Sequence, residues 1–153
     1  MIDNVGFFLP KLDGEKHAAI VEHISTYISE NKNKQVVIFC SNSSIIFPWN
    51  VPVLHINEVK YFDGSVVVFD ILSALIIKDF KTHNNKYFWI GSAIPWSSQP
   101  SENYRTFEDI FDNTDIKLIV TDNTIQDIYE ICFNKPEYVS QEFNHENLQR
   151  IIR

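Results

Sequence analysis

Val5-Gly6-Phe7-Phe8-Leu9 is a continuous apolar run, closed by Pro10 and the turn residues Lys11-Leu12-Asp13-Gly14. A run without polar alternation suits a strand buried on both faces, the environment of a parallel sheet. The segment that follows is predicted to open as a helix near Glu15, with Asp13 as its N-cap. It carries Ile20, Val21, Ile24, Tyr27 and Ile28 at three- and four-residue spacing, which makes one apolar stripe. Asn31 to Lys34 ends it, and Val36-Val37-Ile38-Phe39-Cys40 repeats the buried strand. Strand, amphipathic helix and strand in this order form a βαβ unit, and such crossovers are right-handed.

The same alternation continues to the end of the chain. Residues 41–52 are irregular, and residues 53–56 read as a short third strand. Asp63-Gly64 marks a turn before Ser65-Val66-Val67-Val68-Phe69, the strongest strand of the sequence. Asp70 then caps a helix from Ile71 to about Phe80, apolar nearly all round and so expected to be buried on several sides. A fifth strand over residues 87–90 ends at Gly91, and a loop of Ser and Pro holds Trp96. Ser101 caps a helix with Tyr104, Phe107, Ile110 and Phe111 on one face. Residues 116–120 form a sixth strand, Asp122 or Asn123 caps the next helix, and Tyr138-Val139 is a last short strand. Asn144 opens a final helix with Leu148, Ile151 and Ile152 on one side, facing either the core or a second subunit. The expectation is one α/β domain over residues 1–153. It has a doubly wound, mostly parallel, Rossmann-like sheet in three layers, α/β/α. A flavodoxin-like strand order is the competitor.

Composition narrows the function classes. At 153 residues with 44% apolar content, the chain can build a core without staples. Its net charge of −7 argues against nucleic acid, whose affinity comes from Lys and Arg on phosphates. No apolar run approaches the ~18 residues of a membrane span. The N-terminus lacks the basic region of a signal peptide, so the expected location is cytoplasmic. Cys40 and Cys132 each lie in an apolar stretch and are expected as reduced, buried thiols. The histidines and cysteines show no metal-ligand spacing, so no metal is expected. With four glycines, the chain has no Gly-x-Gly-x-x-Gly, no P-loop and no Gly-x-Ser-x-Gly, and no cofactor is expected.

In doubly wound sheets the ligand sits beyond the C-terminal strand ends, where the strand order reverses. That point lies between the first and fourth strands. The first exit offers Lys11, Asp13 and Gly14, with His17 one turn on. The fourth offers Asp70 and Ser73, the fifth Ser92 and Trp96, and the sixth Asp122. Each has a plainer reading. The three aspartates stand where helices need caps, and Gly14 stands where a turn needs freedom. Trp96 either covers the core or offers a stacking platform.

Gly6-Phe7-Phe8-Leu9-Pro10 with Gly14-Glu15-Lys16-His17, residues 65–80, residues 86–96 and residues 116–144 together resemble the N-terminal, acceptor-side domain of GT-B-type glycosyltransferases, phage-type enzymes included. The resemblance implies an acceptor approaching the first loop, with Asp13, His17 or Asp70 as the base for its hydroxyl. It also implies a donor nucleotide held by a second, C-terminal domain, and the sequence stops at Arg153 without one. Partners in this reading are a sugar or other small-molecule ligand, and a second copy or a separate donor-domain chain. The alternative is a non-catalytic module that keeps the fold and binds a ligand or protein.

Overall fold

The Val-rich strand and the opening strand lie side by side at the centre of the sheet, with Val5, Gly6, Phe7 and Phe8 in register with Ser65, Val66, Val67 and Val68. The computed structural model describes residues 4–13, 15–41, 50–97 and 103–152. Along the chain it runs β1 (Val5–Phe8), α1 (Ala18–Glu30), β2 (Val36–Cys40) and β3 (Val53–His55). A 3-10 turn (Ile56–Tyr61), β4 (Gly64–Val68), α2 (Ile71–Ile77) and β5 (His83–Gly91) follow. Then come α3 (Tyr104–Phe111), β6 (Ile116–Val120), α4 (Asn123–Cys132), β7 (Tyr138–Val139) and α5 (His145–Ile151). The strand order is β3-β2-β1-β4-β5-β6-β7, and every neighbouring pair is parallel. This is the Rossmann order with one further strand at its edge, and the flavodoxin-like alternative falls away.

Side chains alternate across each strand, so the sheet has two cores. Val5, Phe7 and Leu9 face one layer with Val21, Ile24 and Tyr27 of α1 and Leu148 and Ile151 of α5. Phe8, Phe39, Val66, Val68 and Phe88 face the other, against the 3-10 turn, α2, α3 and α4. Burying side chains of this size contributes about 1.5–3 kcal/mol each. Leu148, Ile151 and Ile152 are buried in the chain's own core, so they present no face to a second subunit.

Close packing decides two glycines. A Cβ on Gly6 would stand 2.6 Å from Cε2 of Phe39, and one on Gly64 would collide with the Asn4 backbone carbonyl. Gly91 ends β5 at φ +67, the left-handed region that glycine adopts freely.

Four expectations need correction. α1 begins at Ala18, three residues after Glu15, and its N-cap is His17 instead of Asp13, whose carboxylate caps the separate turn that precedes the helix. α2 is shorter than predicted and is not covered all round: Leu72 is 72% and Ile76 45% exposed. β5 begins four residues earlier than the apolar run suggests, through His83, Asn84, Asn85 and Lys86. Cys132 is exposed, while Cys40 is buried. Gly14 and the Ser101 cap lie outside the described residues. Among the described residues no helix is long and apolar enough to cross a membrane.

Candidate functional site

The strand order reverses at β1, which has β2 on one side and β4 on the other. α1 packs on one face and α2 on the other, the arrangement in which a doubly wound sheet opens a crevice between the two strand exits. At the β1 exit Asp13 and His17 hold each other. Oδ1 of Asp13 accepts from the amides of Glu15 at 2.9 Å and Lys16 at 3.2 Å. The Asp13 amide donates to Nδ1 of His17 at 2.9 Å, and the His17 amide returns to the Asp13 carbonyl, also at 2.9 Å. This is the reciprocal logic of a capping box, with imidazole in place of the usual glutamate.

Two electrostatic consequences follow. Hydrogen bonds from the Lys16 and Glu15 amides hold the Asp13 carboxyl below its usual range. Burial pushes the His17 imidazole down, and the Lys16 ammonium adds to it, while the Asp13 and Asp70 carboxylates pull the other way. Asp70 therefore stands within electrostatic reach of His17. With Nδ1 occupied by an N–H, the neutral ring carries its proton on Nε2. Such a ring donates a hydrogen bond through Nε2 and has no free lone pair with which to take a proton.

Asp70 is committed in the same way. Oδ1 accepts from the Ser73 amide at 2.9 Å, and Oδ2 from the Ser73 hydroxyl at 2.7 Å. Ser73 is fully buried, turned into this cap. Asp122 caps α4 by accepting from the Ile125 amide at 3.0 Å, and stands at the β6 exit. Lys11 is exposed beside an open hollow of about 340 Å³ that it shares with Leu12, Asp13 and Ser41.

Ser41 is the residue that sequence reasoning missed. Its amide donates to the Pro10 carbonyl at 3.0 Å and its hydroxyl donates to the same oxygen, tying the β2 exit to the β1 loop. Its signal was positional: it is the first residue beyond the second strand.

Trp96 is placed elsewhere. Its ring stands edge-on to Tyr129, Phe133 and Phe111 with centroids 4.8, 5.1 and 5.8 Å away, packed on the core between α3 and α4. Ser92 is exposed one residue past β5. The structure thus groups Lys11, Asp13 and Ser41 around one hollow with His17 bonded to Asp13, holds Asp70 and Ser73 together at the neighbouring β4 exit, and leaves Trp96 on the core.

Chemically, this edge presents carboxylates where a Rossmann sheet usually offers bare amides to phosphate. The amides are already spent on Asp13, Asp70 and Asp122. Fixed carboxylates, an imidazole N–H and a serine hydroxyl suit a neutral ligand rich in hydroxyls and repel an anion. Among the described residues no three His, Cys, Asp or Glu side chains stand together as a metal cluster would. A larger hollow opens at the opposite edge of the sheet, near the start of β5. No family model, curated protein or solved structure matches this chain.

Proposed function

We propose that this chain is a binding domain for a neutral, hydroxyl-rich small molecule of the sugar class, seated in the crevice between β1 and β4. In this reading it serves as the acceptor side of a glycosyltransferase-like pair, with the donor nucleotide held by another domain. One observation carries it: both carboxylates at the crevice already accept backbone amides, Asp13 from Glu15 and Lys16, Asp70 from Ser73. They are oriented acceptors for ligand hydroxyls, and their charge disfavours the phosphates of a nucleotide. In this reading Asp13 or Asp70 would take the acceptor hydroxyl's proton, while His17, its Nδ1 occupied, would donate through Nε2.

Calorimetric titration with a panel of monosaccharides and disaccharides tests the reading. At least one sugar is expected to bind saturably, and Asp13→Asn or His17→Ala to weaken it. Absence of saturable heat across the panel, or sugar binding indifferent to both substitutions, would contradict it.

A second reading, docking on a protein chain, is favoured by Leu72 and Ile76, which stand exposed on α2. Light scattering of Leu72→Gln beside the parent chain separates the two. A change of assembly state would support docking between copies of this chain, and a monomer in both would rule that docking out.

A further inference from the structure

At the N-terminal edge of the sheet, the end of α2 and the starts of β5 and β6 enclose a hollow of about 520 Å³. That size lies within the range of small-molecule sites. Lys78, Lys81, Lys86 and Lys117 line it, against Asp79 and Asp115. In a chain of net charge −7, this is a local excess of positive charge.

Lys86 is the residue that demands explanation. It is 7% exposed, and a lysine ammonium has three donors. Its Nζ makes one hydrogen bond, to the Lys78 carbonyl at 2.5 Å. Among the described residues no carboxylate is ion-paired with it. Its neighbours are engaged differently: Lys78 reaches Asp109 at 3.7 Å, and Lys117 lies over the Tyr87 ring at 5.6 Å from its centroid. Burial pushes the Lys86 ammonium below its ordinary value, with Asp115 and Asp79 opposing from a distance. A buried cation with donors to spare is costly unless an anion completes it.

We propose that this hollow is a second ligand site, independent of the β1–β4 crevice, which takes a small phosphate-bearing anion onto Lys86 with Lys81 and Lys117 beside it. Phosphate fits better than a single carboxylate, because its several oxygens can accept from more than one lysine at once. The two ends of the sheet then divide the chemistry, hydroxyls at the carboxylate-lined edge and anion at the lysine-lined one.

Pyrophosphate is the probe, titrated into the isotope-labelled full chain at low ionic strength, with sodium chloride at matched ionic strength as control. Saturable amide shifts are expected over residues 78–86 and 114–117. Lys86→Met is expected to lower the affinity about tenfold or more, and the exposed Lys81→Gln by about threefold. Should Lys86→Met fail to fold, Lys81→Gln and Lys117→Gln decide the question. Inorganic phosphate, a sugar phosphate and a nucleoside diphosphate, run in parallel, separate a bare phosphate site from one that also grips the attached group. Shifts that chloride reproduces, shifts that map elsewhere, or affinity unchanged in the variants that fold would overturn the assignment. So would an oligonucleotide that binds more tightly than pyrophosphate.

Discussion

The Asp13 amide donates to Nδ1 of His17 at 2.9 Å, and through that bond the first loop of the sheet fixes both its own shape and the tautomer of its only imidazole. Asp13 and His17 are held by bonds to each other and to the Glu15 and Lys16 amides, not by the helix that follows. His17→Ala is therefore expected to loosen Asp13 without unfolding α1. Amide exchange should accelerate at Asp13, Glu15 and Lys16 and stay slow at Val21 and Ile24. Equal acceleration along α1 would contradict this.

The buried imidazole of His83, the half-buried one of His17 and the exposed carboxyl of Asp13 all favour folding less in acid. Burial lowers His17 and His83 below the ordinary histidine value of 6.5, and backbone amides lower Asp13 below 3.8. For each, the unfolded chain binds the proton more readily. The stability contribution is complete above the unfolded value and is lost as pH falls through it toward the folded one. The urea midpoint is expected to fall as pH drops below 6.5, and to fall less steeply in His17→Gln. A midpoint that rises on acidification would reverse the sign.

Caps differ in what they leave behind. Asp122→Ala removes one amide hydrogen bond of α4 and an exposed one from the Thr121 hydroxyl, which water replaces, and is expected to cost about 1 kcal/mol. Asp70→Ala also strands the hydroxyl of the buried Ser73, so its cost should be larger, about 2 kcal/mol or more. Asp70→Asn should recover part of it. Urea denaturation of the three variants checks the order.

Gly64→Ala sets a Cβ against the Asn4 carbonyl, a backbone atom that cannot swing away, whereas Gly6→Ala meets the edge of the Phe39 ring. Both are expected to destabilise, Gly64→Ala by about 3 kcal/mol and Gly6→Ala by less. Equal effects would show that the strands shift as readily as a side chain.

How much of this was written in the sequence depends on what each residue's signal is. Residues 5–9, 36–40 and 116–120 could be read as strands because burial on both faces leaves an unbroken apolar run. The start of β5 could not, since His83, Asn84, Asn85 and Lys86 are polar in a place the sheet edge makes half-wet. The exposed side of α2 was also hidden: an apolar sequence does not say which face of a short helix its neighbours reach. At the crevice, the exits of β1 and β4 followed from topology alone, as did Asp13, His17 and Asp70. Trp96 followed only half-way, because its partners Phe111, Tyr129 and Phe133 are brought to it by two later helices. The lysine-lined hollow had only a partial signal: Lys78, Lys81 and Lys86 lie in one short basic stretch mixed with neutral residues, and only the fold brings Lys117 to it.

The most direct test of the crevice is an amide chemical-shift map of the labelled chain, titrated with the sugar that binds best in calorimetry. Saturable shifts are expected at Lys11, Asp13, His17, Ser41 and Asp70, and none around Lys86. Shifts centred on Trp96 or on the lysine-lined edge, with the β1 and β4 exits silent, would contradict it.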